Sequence, residues 1–172
     1  VVDGSTGEFN AFVGGFVLHG TDMFLAEVLY PYPTSGARLY KFPLTDGSAT
    51  VLADLPALPT KLAADEQNVY WIDGTTVNRV PASGGTITTL AAGLSSPTDI
   101  AVDAESVFWT ETTGFEAHGE TGSIKAVPKS GGSPAIVVQG GDAPRKLELD
   151  ANNVYWTEGG PIGQIEGFGR IA

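Results

Sequence analysis

Short apolar runs recur along the chain, each bounded by turns rich in glycine, proline and aspartate. Three of them are nearly superimposable: Asn68-Val-Tyr-Trp-Ile-Asp73, Ser106-Val-Phe-Trp-Thr-Glu111 and Asn153-Val-Tyr-Trp-Thr-Glu158. In an extended chain, residues two apart share a face, so each run puts a valine and a tryptophan on one side and an aromatic on the other. A strand apolar on both faces is a buried one. Asp22-Met-Phe-Leu-Ala-Glu27 is a fourth, degenerate copy, and with Leu25, Trp71, Trp109 and Trp156 as anchors the spacings are 46, 38 and 47 residues. Such a period suits a four-stranded propeller blade.

The repeat extends on both sides of its anchor. Asp65, Asp103 and Asp150 stand six residues earlier, with His19 in the degenerate copy, and Pro59, Pro97 and Pro144 stand twelve earlier. Downstream, an apolar residue and a proline recur as Leu39/Pro43, Val77/Pro81 and Ile124/Pro128, with Ile165/Gly169 aligned to them in the last copy. Glycine turns follow at Asp46-Gly47, Gly84-Gly85 and Gly131-Gly132. In the second repeat, strand a is expected near 62–64, b over 69–73, c over 77–80 and d over 86–90. The last copy stops before a strand d, and the N-terminal residues Val1 to Asp3, or Phe9 to Phe12, are expected to supply it. The prediction is an all-β, single-domain propeller over residues 1–172. It has four blades of four antiparallel strands, its ring closed by pairing of the N- and C-terminal strands.

Charge narrows the partners. With 20 acidic residues against 9 basic ones the net charge is −11, which disfavours nucleic acid and anionic membranes. No apolar stretch is long enough to span a bilayer as a helix, so no membrane insertion is expected. There is no cysteine, which removes disulfides, thiolate metal sites and a cysteine nucleophile.

The Tyr155-Trp-Thr-Glu158 core, the Ala101-Val-Asp103 lead-in and the Val127-Pro-Lys-Ser-Gly-Gly132 turn resemble the YWTD-type repeats of low-density-lipoprotein-receptor propellers. They resemble still more a bacterial branch of such repeats in secreted or surface proteins of myxobacteria and relatives. The resemblance covers nearly the whole chain and is weakest over residues 1–40. It implies a secreted or cell-surface location and a propeller that binds or scaffolds. Receptor propellers of this type usually have six blades, which 172 residues cannot hold.

Antiparallel connectivity places the d–a and b–c connections on one end of the blades, here the upper end, and the a–b and c–d turns on the lower. The lower turns are short and uniform, and their aspartates are read as acceptors for turn amides. The upper connections vary, the longest being Val28 to Ala37 and Thr112 to Gly122. Tyr30, Tyr32, Phe115 and His118 would form aromatic walls there. Lys61, Asp99, Arg145 and Lys146, at the starts of successive a strands, would form a charged floor. This set is the expected ligand-binding site for a glycan or a protein. The carboxylates two residues past each anchor, Glu27, Asp73, Glu111 and Glu158, are expected to bond to the neighbouring blade, because strand b lies too far from the axis for all four to chelate one ion. A calcium ion is an alternative at the acidic loop of Glu111, Glu116 and Glu120, but no cofactor or metal site is assigned. His19 and His118 are the only histidines, and no nucleophile elbow, zinc helix or phosphate loop is present. The leading expectation is therefore a non-enzymatic binding module, monomeric. An assembly subunit whose incomplete blade pairs with another chain in a larger ring or filament comes second, and a calcium-dependent propeller lactonase third.

Overall fold

In the computed structural model, the described residues are 13–28, 36–116, 119–159 and 165–171, with side chains described except at 13, 114–116, 119–120, 141–142 and 165–171. They form fifteen strands in four antiparallel sheets. The first contains β1 (Val13–His19), β2 (Asp22–Val28), β3 (Ala37–Pro43) and β4 (Thr50–Leu55). The second contains β5 (Lys61–Ala64), β6 (Asn68–Asp73), β7 (Thr76–Pro81) and β8 (Thr88–Ala92). The third contains β9 (Pro97–Val102), β10 (Ser106–Glu116), β11 (Gly119–Pro128) and β12 (Ala135–Asp142). The fourth has β13 (Pro144–Leu149), β14 (Val154–Gly159) and β15 (Ile165–Ile171). Each sheet is a meander in chain order, with one anchor on its second strand, so the repeat alignment identifies the blades.

Two register details differ from expectation. Thr157 pairs with Phe168 as Thr110 pairs with Ile124, so the equivalent of Ile124 in the last blade is Phe168 rather than Ile165. Strand d of the second blade starts at Thr88, because Gly84 and Gly85 take positive φ and carry the turn further than a two-residue hairpin would.

Alternation sorts each blade into a leading face, carrying the anchor, and a trailing face. Trp71 and Val69 lie in an apolar cluster with Phe24, Ala26 and Leu39 of the first blade. Trp109 and Val107 lie with Tyr70, Ile72 and Val77 of the second, and Trp156 and Val154 with Ile124 of the third. The core is thus three layers, one between each pair of successive sheets. Trp71 and Trp109 are almost wholly buried.

The expected closed ring of four is not what the described residues form. Innermost strands pack in series, β1 by β5, β5 by β9 and β9 by β13. On the leading face of the first blade, Phe16 and Leu18 stay 62% and 57% exposed, where a closed ring would bury them. Geometry explains the difference. Four-fold closure turns each sheet 90° from the next. With strands about 4.8 Å apart, sheets diverging at that angle separate by roughly 14 Å more at the third strand than at the first. Here the apolar contact persists that far out: β4, the outer strand of the first blade, approaches β7, and Leu52 and Leu55 share a cluster with Val80. Neighbouring sheets are therefore in contact further out than flat sheets at right angles allow, and among the described residues the blades are joined in series from the first to the fourth. Residues 1–12, expected to complete the last blade, lie outside the described residues.

Candidate functional site

The lower turns repeat one device. The Oδ1 of Asp65 accepts from the amides of Gln67 and Asn68 at 2.8 and 2.7 Å. Asp103 does the same for Glu105 and Ser106, and Asp150 for Asn152 and Asn153, every distance 2.8 Å. Aspartate suits the position because its short side chain reaches its own turn amides. The tyrosine on strand b closes the device. Tyr70 donates to Asp65 Oδ2 at 2.9 Å and Tyr155 to Asp150 Oδ2 at 2.6 Å. At the joint of the second and third blades the next blade adds a cation: Lys129 Nζ lies 2.6 Å from Asp65 Oδ2 and 5.9 Å from the centre of the Tyr70 ring. Burial, then the Asp65 carboxylate, pushes the Tyr70 hydroxyl well above its ordinary value.

The carboxylates past the anchors turn inward on their own blade, which corrects the expectation that they reach the neighbour. Trp109 Nε1 donates to Glu111 Oε1 at 2.7 Å, and Trp156 Nε1 to Glu158 Oε1 at 3.0 Å. Residues i and i+2 of a strand share a face, so the pairing is local. Glu111, 2% exposed, also takes Lys125 Nζ at 2.8 Å. In the first blade Leu25 has no side-chain N–H to offer, and Glu27 meets the Tyr40 hydroxyl instead. Among the described residues no group of three or more histidine or acidic side chains could hold a metal ion.

At the upper end, the structure brings part of the expected floor together. Asp99 and Lys146 lie across the joint of the third and fourth blades, 3.7 Å apart. Asp99 Oδ2 also accepts from the Leu147 amide at 3.0 Å, and Thr98 Oγ1 donates to the Pro144 carbonyl at 3.0 Å. Asp99, 8% exposed, is therefore engaged in blade-to-blade bonding. Arg145 is exposed and lies over Gly159, where a β-carbon would meet its Nε at 2.6 Å. Lys61 opens β5 and is partly buried. Tyr30, Tyr32 and His118 lie outside the described residues, and of Phe115 only the backbone is described.

That backbone changes the reading of the longest connection. The stretch Thr112 to Gly122, expected as a loop, continues β10 and β11 as a hairpin: Thr113 pairs with Thr121, Phe115 with Glu120 and Glu116 with Gly119. The two threonines exchange side-chain hydrogen bonds, Thr121 Oγ1 reaching the Thr113 carbonyl at 2.9 Å. Ladder pairing with β9 stops at Glu111, so beyond that point β10 is laddered to β11 alone. A lower-end feature was missed: a cleft of about 250 Å³ between the third and fourth blades, lined by Asp103, Phe108, Leu149, Asp150 and Asn152. Its signal was present in Asp103 and Phe108, the counterparts of the Asp65 and Tyr70 that receive Lys129.

Serial antiparallel blades, three of four strands and the last of three among the described residues, packed inner strand to inner strand, define a propeller-type fold. Solved structures agree. The chain is similar to the tricorn protease over 91% of its own length, with 12% identity and a TM-score of 0.65. It is similar to BamB from Moraxella catarrhalis over 90%, with 17% identity and a TM-score of 0.55. A third match is an acylaminoacyl peptidase, over 86% with 10% identity and a TM-score of 0.61. The chain spans only 16%, 43% and 28% of those three proteins, and identities this low speak for the fold alone. No family model matches the sequence, and no curated protein does. Among the described residues no helix is long and apolar enough to cross a membrane.

Proposed function

We propose that the chain is a binding module of YWTD-type repeats, carried by a secreted or cell-surface protein and recognising a glycan or protein through its upper end. One observation carries this reading: the two ends of the blades are built differently. The lower turns repeat the same aspartate-to-amide bonds in three blades. At the upper end, β6 and β7 close directly at Asp73 and Thr76, whereas β10 and β11 run on to Glu116 and Gly119. Variation at one end of a uniform scaffold is where recognition is grafted. The basic side chains of Lys61, Arg145 and Lys146, at the starts of their innermost strands, supply donors for sugar hydroxyls or acidic groups.

A glycan array tests the reading. A chain carrying Tyr32→Ala, Phe115→Ala and His118→Ala is expected to lose the glycans that the unaltered chain retains, with its far-UV spectrum unchanged. Asp103→Asn is expected to keep them. Binding lost with Asp103→Asn and kept in the triple variant would move the site to the lower end and overturn the assignment.

A further inference from the structure

Five large apolar side chains stand exposed among the described residues: Phe16, Leu18, Leu44, Val51 and Ile136. Four of them belong to the first blade. Phe16 and Leu18 pair with Leu25 and Met23, and Val51 with Tyr40, which places them on the leading face. Leu44 follows the c–d proline and donates its amide to the Thr21 carbonyl, as Ala82 does to Gln67 and Lys129 to Glu105. In the second and third blades that position meets the preceding blade: Ala82 lies in the cluster with Phe24, and Lys129 on Asp65. The whole leading face of the first blade is thus of the kind that the next three cover.

We infer that a second copy of this chain covers it, leading face on leading face about a two-fold axis. The independent ground is what the other candidate faces carry. A head-to-tail contact would lay the trailing face of the fourth blade on this one. That would set the exposed Glu148, which pairs with Tyr155 on that face, against Phe16 and Leu18, and Leu44 against Asp150, where the second blade's counterpart takes a lysine. An isologous contact opposes apolar to apolar across Phe16, Leu18, Leu25 and Val51. Its rim holds the Arg38–Asp54 pair, 2.6 Å apart, which offers both signs of charge to the same pair of the other copy. Two-fold contacts are self-complementary by construction, and sheets pack readily face to face.

Sedimentation equilibrium of the chain, with and without substitutions, tests this. The unaltered chain is expected at twice the chain mass at micromolar concentration, and Phe16→Glu with Leu18→Glu at one chain mass with unchanged far-UV and tryptophan spectra. If that pair unfolds the chain, Val51→Lys serves in its place. Glu148→Arg, on the fourth blade, is expected to leave the dimer intact. The chain lacks cysteine, so single cysteines placed at 16, 18, 25 and 51 give a clean second readout. At least one, near the axis, is expected to form an interchain disulfide with its own copy. A chain that stays monomeric, a dimer indifferent to Val51→Lys, a dimer dissociated by Glu148→Arg, or no self-crosslink at any of the four positions would each overturn the inference.

Discussion

Replacing Asp73 by glutamate is expected to stabilise the protein, although it enlarges a side chain beside the core. The reason lies in the three anchors. Trp109 and Trp156 each donate to a glutamate two residues on, at 2.7 and 3.0 Å. Trp71 is equally buried, but its Nε1 is the one buried side-chain polar atom found without a partner among the described residues. The residue two along is Asp73, shorter by one methylene, about 1.5 Å of reach. Its carboxylate bonds instead to Thr76 Oγ1 at 3.1 Å and Asn78 Nδ2 at 3.4 Å. A buried donor without an acceptor costs about 1–3 kcal/mol. Glutamate regains that and gives up the two longer bonds, so the net gain is about 1 kcal/mol, or roughly 2–4 °C in Tm for a chain this size. Scanning calorimetry of Asp73→Glu measures it. The paired control is phenylalanine at each anchor: Trp71→Phe removes an unpaired N–H, Trp109→Phe removes a paired one, so the second is expected to cost about 1–3 kcal/mol more. A lowered Tm for Asp73→Glu, together with equal costs for the two phenylalanines, would refute the reasoning.

Two further expectations follow from the joints between blades. Trp109→Ala leaves a cavity between the second and third sheets and is expected to cost about 3–5 kcal/mol in urea denaturation; an unchanged midpoint would remove the anchor from the core. Burial raises the Asp65 carboxyl, but Lys129, the Asn68 and Gln67 amides and the Tyr70 hydroxyl outweigh it and hold it below the ordinary carboxylate range. A folded value below the unfolded one stabilises the protein above about pH 4, and this is lost as pH falls through the folded value. Denaturation midpoints of Asp65→Asn are therefore expected to fall less steeply with acid below pH 4 than those of the unaltered chain. An identical acid slope would contradict the assignment.

How much was legible in the sequence depended on how local the cause was. Strand b was plain because Val69, Trp71, Tyr70 and Ile72 are buried on both faces, and few other elements need a continuous apolar run bounded by turn residues. The lower turns were equally plain, since the aspartate-to-amide bonds span two or three residues. The indole-to-glutamate bonds were open to the same period-2 reasoning, which puts Trp109 and Glu111 on one face; assigning Glu111 to the neighbouring blade ignored it. The hairpin at 112–122 was hidden by its composition. Thr112-Thr-Gly and Gly119-Glu-Thr-Gly122 read as a loop, and the cross-strand bonds of Thr113 with Thr121 hold them as strands. Without its proline the last repeat slid by three residues, because Ile165 offered a false match for Ile124. Ring closure was beyond the sequence, for the angle between blades is set by side chains that meet across the joint and lie far apart along the chain.

The joints also show how one repeat can be copied without its blades becoming interchangeable. Between the first and second blades, the ring at the tyrosine position is Phe24, the turn residue is His19 rather than aspartate, and the residue arriving from the next blade is Ala82. Between the second and third, the ring is Tyr70, the turn residue is Asp65 and the arriving residue is Lys129. Each set is consistent within itself. Lys129 set against Phe24 would lose its carboxylate, and Ala82 set against Asp65 would leave a part-buried acid without its cation, so a wrong neighbour forfeits a charge-assisted bond or strands a charge. The strand order within the four blades is alike, and side chains at the lower edge of each joint therefore help to carry the order of the blades. The fourth blade keeps the acid and ring of the second in Asp150 and Tyr155, with the hydroxyl bond shorter still at 2.6 Å. By the same logic the acid and ring it presents are a poor match for Leu44, and this is the ground on which a second copy is inferred to cover the apolar face of the first blade.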